Sequence, residues 1–328
     1  MYWLSCREVI TAGLNITCLD DDRGAPYRRA IAHSGFAMKL ARYLHGTSVC
    51  LGLVDVTAGS ITPLGVAATH GDAMIALMSD SLAGRAPRVD GAAVALTAVK
   101  LLPPIAQPSK NILCIGKNYA AHAAEFTRSG YDSSASNAQD VIPAAPIVFS
   151  KAPCTMSGAH DDIVVPWNIT AQMDYEGELG VVIGKPGRNI SRAAAYEHVW
   201  AYCVINDATA RDLQAKHKQW LLGKSIDTFC PIGPWLTTAD EVAPDNLELQ
   251  CWVNGELRQH ANTRDLIFDI PAIIATISAS MTLHTGDIIA TGTPAGVGIG
   301  FTPPKFLKAG DVVKIAITGL GEIENRVV

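Results

Sequence analysis

A chain of 328 residues, 48% apolar and 17% charged, is long enough for a full hydrophobic core and too apolar to remain disordered. A net charge of −5, with no cluster of Lys and Arg, excludes a nucleic-acid or anionic-membrane surface. No apolar run reaches the roughly 18 residues of a membrane-spanning helix. The eight cysteines include no C-x-x-C pair, so they read as free thiols of a reducing cytoplasm, not as a disulfide or zinc framework.

Residues 1–37 show no sustained period, and Asp20-Asp21-Asp22-Arg23-Gly24 is loop-like. Regular pattern begins abruptly at Met38, which predicts that Met38 is the natural start and that 1–37 is a poorly ordered extension. Residues 38–107 read as a small α+β domain. Its strands are Leu40–Tyr43, Val49–Val56, Ser60–Pro63 and Val94–Leu102, and its helix is Ala73–Ser79. His45 and His70 are expected on its surface. Pro103, Pro104 and Pro108 mark the linker to a larger unit, 108–328.

That unit opens with a buried strand, Asn111–Gly116, followed by Ala-rich helical sequence around His122 and Glu125. The two residues are i, i+3 and share a helix face. A carboxylate beside an imidazole raises its basicity and fixes its tautomer, as a general base requires, although such a pair also fits a surface ion pair. Small polar residues from Thr127 to Asp140 predict a loop, which beside a site could serve as a lid. After Pro146–Lys151 strands dominate: Ile163–Val165, Leu179–Ile183, Ala201–Ile205, Leu247–Val253, Asp287–Ala290 and Val312–Thr318. Helices are expected at Arg192–His198, Ala210–Lys216 and Pro271–Ser280. Strands and helices do not alternate, so the class is α+β and not doubly wound.

The densest chemistry lies between Asp174 and Lys224. Glu176 and Glu178 are i, i+2 on an extended segment, so both side chains leave the same face. Carboxylates aimed together repel unless a cation or shared proton separates them. Alone, the pair also fits a solvated strand face. Asp207, from a neighbouring strand end, would complete three hard oxygen ligands suited to Mg2+, Mn2+ or Ca2+. The glycine-rich run from Gly292 to Gly300 lacks the Lys-Ser/Thr of a nucleotide loop, and reads as a tight turn that brings backbone and the Thr293 hydroxyl to a ligand.

Taken in order, five segments resemble the fumarylacetoacetate hydrolase family. They are Gly-Lys-Asn-Tyr-Ala-Ala-His-Ala-Ala-Glu (116–125), Asp-Tyr-Glu-Gly-Glu-Leu (174–179), Asn-Asp-Ala-Thr-Ala-Arg-Asp-Leu-Gln (206–214), Gly-Lys-Ser (223–225) and Gly-Thr-Pro-Ala-Gly-Val-Gly (292–298). The likeness covers about residues 108–328, with a weaker one to the small N-terminal domain of bacterial members from Met38. It implies a strand-rich mixed β-sandwich roll, a divalent metal (usually Mg2+) and a homodimer. By motif position, Glu176, Glu178 and Asp207 would be metal ligands, and His122 with Glu125 the water-activating dyad on a lid helix. Lys224 matches the lysine at the metal site, Gln214 and Thr293 match substrate-contacting positions, and Thr228 a threonine near the metal. The segment 127–145 is longer than in compact members.

The implied activity is hydrolysis of a C–C bond in acylpyruvate-like 2-oxo acids, as in aromatic-compound catabolism, through a metal-bound enolate. The alternative on the same site is an isomerase, tautomerase or decarboxylase of 2-oxo acids such as hydroxymuconates or oxaloacetate. A non-catalytic metal or small-molecule binding protein is the remaining class. The partner in each case is a small 2-oxo acid, with no nucleic acid and no membrane.

Overall fold

The computed structural model describes residues 37–66, 71–131 and 141–328. The expectations for the N-terminal extension, for His70 and for most of the loop after Tyr131 lie outside these residues. His45 is exposed, as expected.

One strand organises the rest. Gly177–Ile183 is buried at every position, as a central strand covered on both faces must be. On one side it pairs antiparallel with Val199–Asn206, and on the other with Ile288–Ala290. Ile288–Ala290 then runs parallel to Ile112–Gly116, whose antiparallel partner Ile147–Lys151 forms that edge. In the opposite direction the sheet continues through Cys230–Thr238 to Lys39–His45, Ser48–Asp55, Ser60–Gly65 and Arg88–Val89. The N-terminal residues therefore extend the same sheet, with Leu40 opposite Leu236.

Alternation along Gly177–Ile183 builds two layers. Leu179, Val181 and Ile183 enter a core with Leu249, Ile315 and Ile323 of a second, four-stranded antiparallel sheet. Val182, with Ala201 and Cys203, faces the other way, onto Met74, Leu77 and Met78 of helix Ala73–Leu82. Asp72 caps that helix, accepting from Met74 N at 2.8 Å, and its other oxygen accepts from Ala106 N and Gln107 N of the linker. The result is an α+β fold in which few helices cover a strand-rich sandwich.

Two expectations are corrected. Val94–Leu102 is not one strand: Val94–Ala95 pairs with Ser60 and Ile61, whereas Lys100–Leu102 pairs with Arg42 to Leu44. Two different partners force a turn between them, Leu96–Ala98. Ile163–Val165 makes only an isolated bridge from Ile163 to Val327. The helix expected at Arg192–His198 is present, as a 3-10 helix capped by Ser191. The described cysteines are free thiols, Cys114, Cys203, Cys230 and Cys251 being buried. No described helix is long and apolar enough to cross a membrane.

Candidate active site

Strand register assembles the acids. Gly177 lies opposite Asn206 and Glu178 opposite Ile205, so Asp207 emerges beside Glu176, and its N–H donates to the Glu176 carbonyl at 2.8 Å. Glu176, Glu178 and Asp207 are buried, with one oxygen from each within 4.8 Å of the others. The three residues expected as ligands are thus brought to one point.

Isolated charges are costly inside a protein, so each needs a counter-charge. Lys224, carried by the short helix Leu221–Lys224, reaches Glu176 Oε2 and Asp207 Oδ2, both at 2.7 Å. Lys151, at the end of the edge strand, lies 2.8 Å from Asp207 Oδ1. Arg211, which opens helix Arg211–His217, sits 2.7 Å from Glu176 Oε1 and 2.9 Å from Asp174 Oδ2. Three acids therefore face three cations. Among the described residues the fourth, Glu178, meets a neutral donor, the Gly292 N–H at 2.8 Å.

The titration of the acids follows from this arrangement. Burial alone would raise Glu176, but Lys224 and Arg211 outweigh it and pull the carboxyl down to about 2. Burial and the repulsion of Asp207 and Glu176 push Glu178 well above the usual carboxylate range. Burial would lower the Lys224 ammonium, yet Asp207 and Glu176 hold it above its ordinary value.

His122 and Glu125 stand on helix Ala120–Ser129, with His122 Nδ1 3.2 Å from Glu125 Oε2. The helix continues past the expected loop boundary at Thr127 and ends on Gly130 at φ 80°. Glu125 is gripped from behind by the Gly296 N–H, at 3.1 and 3.2 Å from its two oxygens. His122, Gln214, Lys224 and Thr293 line one cavity together with Glu176 and Glu178. The Thr293 hydroxyl donates to the Gly177 carbonyl at 3.0 Å and accepts from Gln259 Nε2 at 2.7 Å, which leaves it an acceptor toward the cavity. Thr228 does not reach that lining. Its hydroxyl accepts from the Val164 N–H at 2.8 Å, and its φ of 69° marks a turn.

Four residues join the site that sequence reasoning did not single out. Arg211 and Lys151 neutralise the acids, and Asp174 is fully buried against Arg211. Lys117 lines the cavity, 3% exposed, with φ 55°, a region a non-glycine residue adopts at a cost. Its position directly after the strand-ending Gly116 was the available signal.

The donor set fits a divalent cation. Three convergent carboxylate oxygens suit a hard ion, and one such ion would supply the positive charge that Glu178 lacks.

Residues 111–328 match the family model described as fumarylacetoacetate (FAA) hydrolase C-terminal, and residues 38–104 match the Rv2993c-like N-terminal model. The chain belongs to the fumarylacetoacetate hydrolase family. It is 51% identical over 233 residues to the oxaloacetate tautomerase YisK of Bacillus subtilis, covering 71% of this chain and 74% of that one. The fumarylacetoacetate hydrolase of Exiguobacterium antarcticum superposes with a TM-score of 0.75 at 38% identity, over 88% of this chain and 99% of that one. The maleylpyruvate hydrolase of Sphingobium sp. SYK-6, solved with manganese(II) and pyruvate, gives a TM-score of 0.68 at 34% identity, over 89% and 99%. As a member of this family the chain is an enzyme acting on a small molecule.

Proposed function

We propose that this enzyme is a divalent-metal-dependent tautomerase that interconverts the enol and keto forms of a small 2-oxo diacid of the oxaloacetate type. The observation that carries the proposal is the 51% identity to the oxaloacetate tautomerase of Bacillus subtilis. It favours the isomerase alternative over C–C bond hydrolysis.

Glu176, Glu178 and Asp207 would hold the cation, Mg2+ or Mn2+, which when bound supplies Lewis acidity toward the 2-oxo-carboxylate. Arg211 keeps N–H groups beyond its contacts to Asp174, Glu176 and Gln214, and with the Gln214 amide it would anchor a carboxylate. His122 has Nδ1 engaged by Glu125, so Nε2 is the ring nitrogen left for substrate. Nε2 takes the enol hydroxyl proton, the Lys224 ammonium meets the charge that builds on the oxygen, and the imidazolium returns the proton at C3. No attacking water is required.

The test follows decay of the enol form of oxaloacetate by its ultraviolet absorbance, with Mg2+ or Mn2+ present, and acylpyruvate cleavage in parallel. Acceleration of enol decay without acylpyruvate cleavage is expected. Acylpyruvate cleavage with enol decay at the buffer rate would establish the hydrolase instead.

A further inference from the structure

Asp174 stands two residues before Glu176 and shares Arg211 with it, but it is not one of the three convergent acids. Its carboxylate is fully buried and accepts four hydrogen bonds: Tyr175 N at 2.9 Å and Gly298 N at 2.6 Å on Oδ1, Ile299 N at 3.1 Å and Arg211 Nε at 2.9 Å on Oδ2. Two of those donors belong to the turn that follows Thr293. The same turn is fastened one step earlier, where the Tyr175 hydroxyl donates to the Gly296 carbonyl at 2.7 Å. Gly296 is the residue whose N–H grips Glu125. Val297 and Ile299 of the turn pack with Phe126 of the His122 helix.

We propose that Asp174 is a positioning residue for the proton-transfer pair, resting on the role given above to His122 and Glu125. By holding the turn 296–300 against Arg211, Asp174 fixes the Gly296 N–H, the N–H fixes Glu125, and Glu125 fixes the His122 ring. The stretch 174–178 thus orders both halves of the site. Asp174 and Tyr175 set the turn, while Glu176 and Glu178 face the cavity. A carboxylate is needed because all four partners are donors, and an amide would turn N–H2 toward at least one of them. The turn is built to this anchor: a Cβ at Gly298 would lie 2.6 Å from Asp174 Oδ1.

The experiment is a double-mutant cycle on the full, Mn2+-loaded chain with oxaloacetate as substrate. Its members are Asp174→Asn, Glu125→Gln and the double variant, with Mn2+ affinity and stoichiometry read by electron paramagnetic resonance. Asp174→Asn is expected to lower kcat about 10- to 100-fold, because misplacement by about 1 Å carries a loss of that order. KM, Mn2+ affinity and stoichiometry should stay within about twofold of wild type, and the double variant within about twofold of Glu125→Gln alone, as two residues on one path require. A reduced Mn2+ stoichiometry would mean lost fold, not lost position, and would overturn the proposal. So would unchanged kcat in Asp174→Asn, a double variant showing the product of the single losses, or Mn2+ affinity falling in step with kcat. The last result would assign Asp174 to the metal acids through Arg211. Unchanged turnover in Glu125→Gln would remove the role of the pair itself, and is distinguishable because it does not involve Asp174. If Asp174→Asn does not fold, Tyr175→Phe removes the hydroxyl bond that fastens the same turn at the Gly296 carbonyl and is judged by the same outcomes.

Discussion

Glu176, which directly precedes the strand Gly177–Ile183, and Glu178 within it line one cavity and carry opposite electrostatic environments. Glu176 is met by Lys224 and Arg211, each at 2.7 Å, and its carboxyl is drawn down to about 2. Glu178 is buried beside Asp207 and Glu176 with a backbone N–H for company, and its carboxyl is pushed well up. Two carboxylates at i, i+2 therefore differ in whether they hold a proton in the metal-free protein.

The first prediction concerns pH and metal together. Glu178 is protonated over a range where an ordinary glutamate is ionised, so cation binding must displace that proton. Affinity for Mg2+ or Mn2+ should rise with pH, from the usual carboxylate range up to the raised value of Glu178. Stability of the metal-free protein has the reverse sign for this group. A raised carboxyl contributes stability that is complete below its unfolded value and is lost as pH rises through the folded one. Glu176 acts in the other direction, contributing stability above 4.5 that disappears as pH falls toward 2. Calorimetry in buffers of different ionisation enthalpy reads the proton released. Binding without proton release would contradict the assignment.

The second prediction separates the two acids. Glu178→Gln copies the protonated side chain, so the metal-free protein should keep its stability within about 1 kcal/mol. Its metal affinity should drop at least about 100-fold, beyond the loss typical of an outer residue. Glu176→Gln strips one carboxylate partner from both Lys224 and Arg211, and leaving two buried cations short of counter-charge should cost about 3–5 kcal/mol in urea unfolding. Equal destabilisation by the two substitutions would show that Glu178 is ionised before metal binds.

Much of this was legible in the sequence, and the parts that were not share a cause. Apolar runs such as Leu179–Ile183 and Ala201–Ile205 announce buried strands because burial on both faces removes the need for polar residues. Cys230–Thr238 is as central, pairing with Val199–Asn206 and Lys39–His45, yet Pro231, Gly233 and Pro234 disguise it. Glu256–Asn262 is hidden differently: as an edge strand it buries only Gln259 and reads as polar loop. At the site, the Glu176–Glu178 spacing was visible because a strand period is local. Lys151, Arg211 and Asp174 were not, since nothing local tells a buried charge from a solvated one. Their burial exists only when three strand ends and a turn meet.

A third prediction isolates proton transfer from metal binding. His122→Asn removes the ring that Glu125 orients but none of the acids at the cation site. Turnover should fall about 10²- to 10⁴-fold, the range for loss of a general base, with Mn2+ affinity unchanged. Full activity in this variant would leave the proton transfer to another group, with Lys224 the next to test.

The fourth prediction uses two glycines of one turn that fail in different ways. At Gly296 the backbone has φ 103°, and an added Cβ would lie 1.9 Å from the Arg258 carbonyl oxygen. Neither fault can be relieved by a side chain moving, so Gly296→Ala should be severely destabilised, by more than about 3 kcal/mol. At Gly300 no left-handed backbone is involved, and the Cβ would meet Glu125, 1.7 Å from Oε1. A helix-borne carboxylate can swing away, so Gly300→Ala should fold and bind Mn2+ normally. Swinging away breaks the 3.2 Å contact with His122 and the grip of the Gly296 N–H, so kcat should fall while metal affinity holds. Thermal unfolding and steady-state kinetics on the two variants are enough to check this. A stable, inactive Gly300→Ala beside an unstable Gly296→Ala is the expected pair. An active Gly300→Ala would mean that the His122 ring keeps its orientation without Glu125.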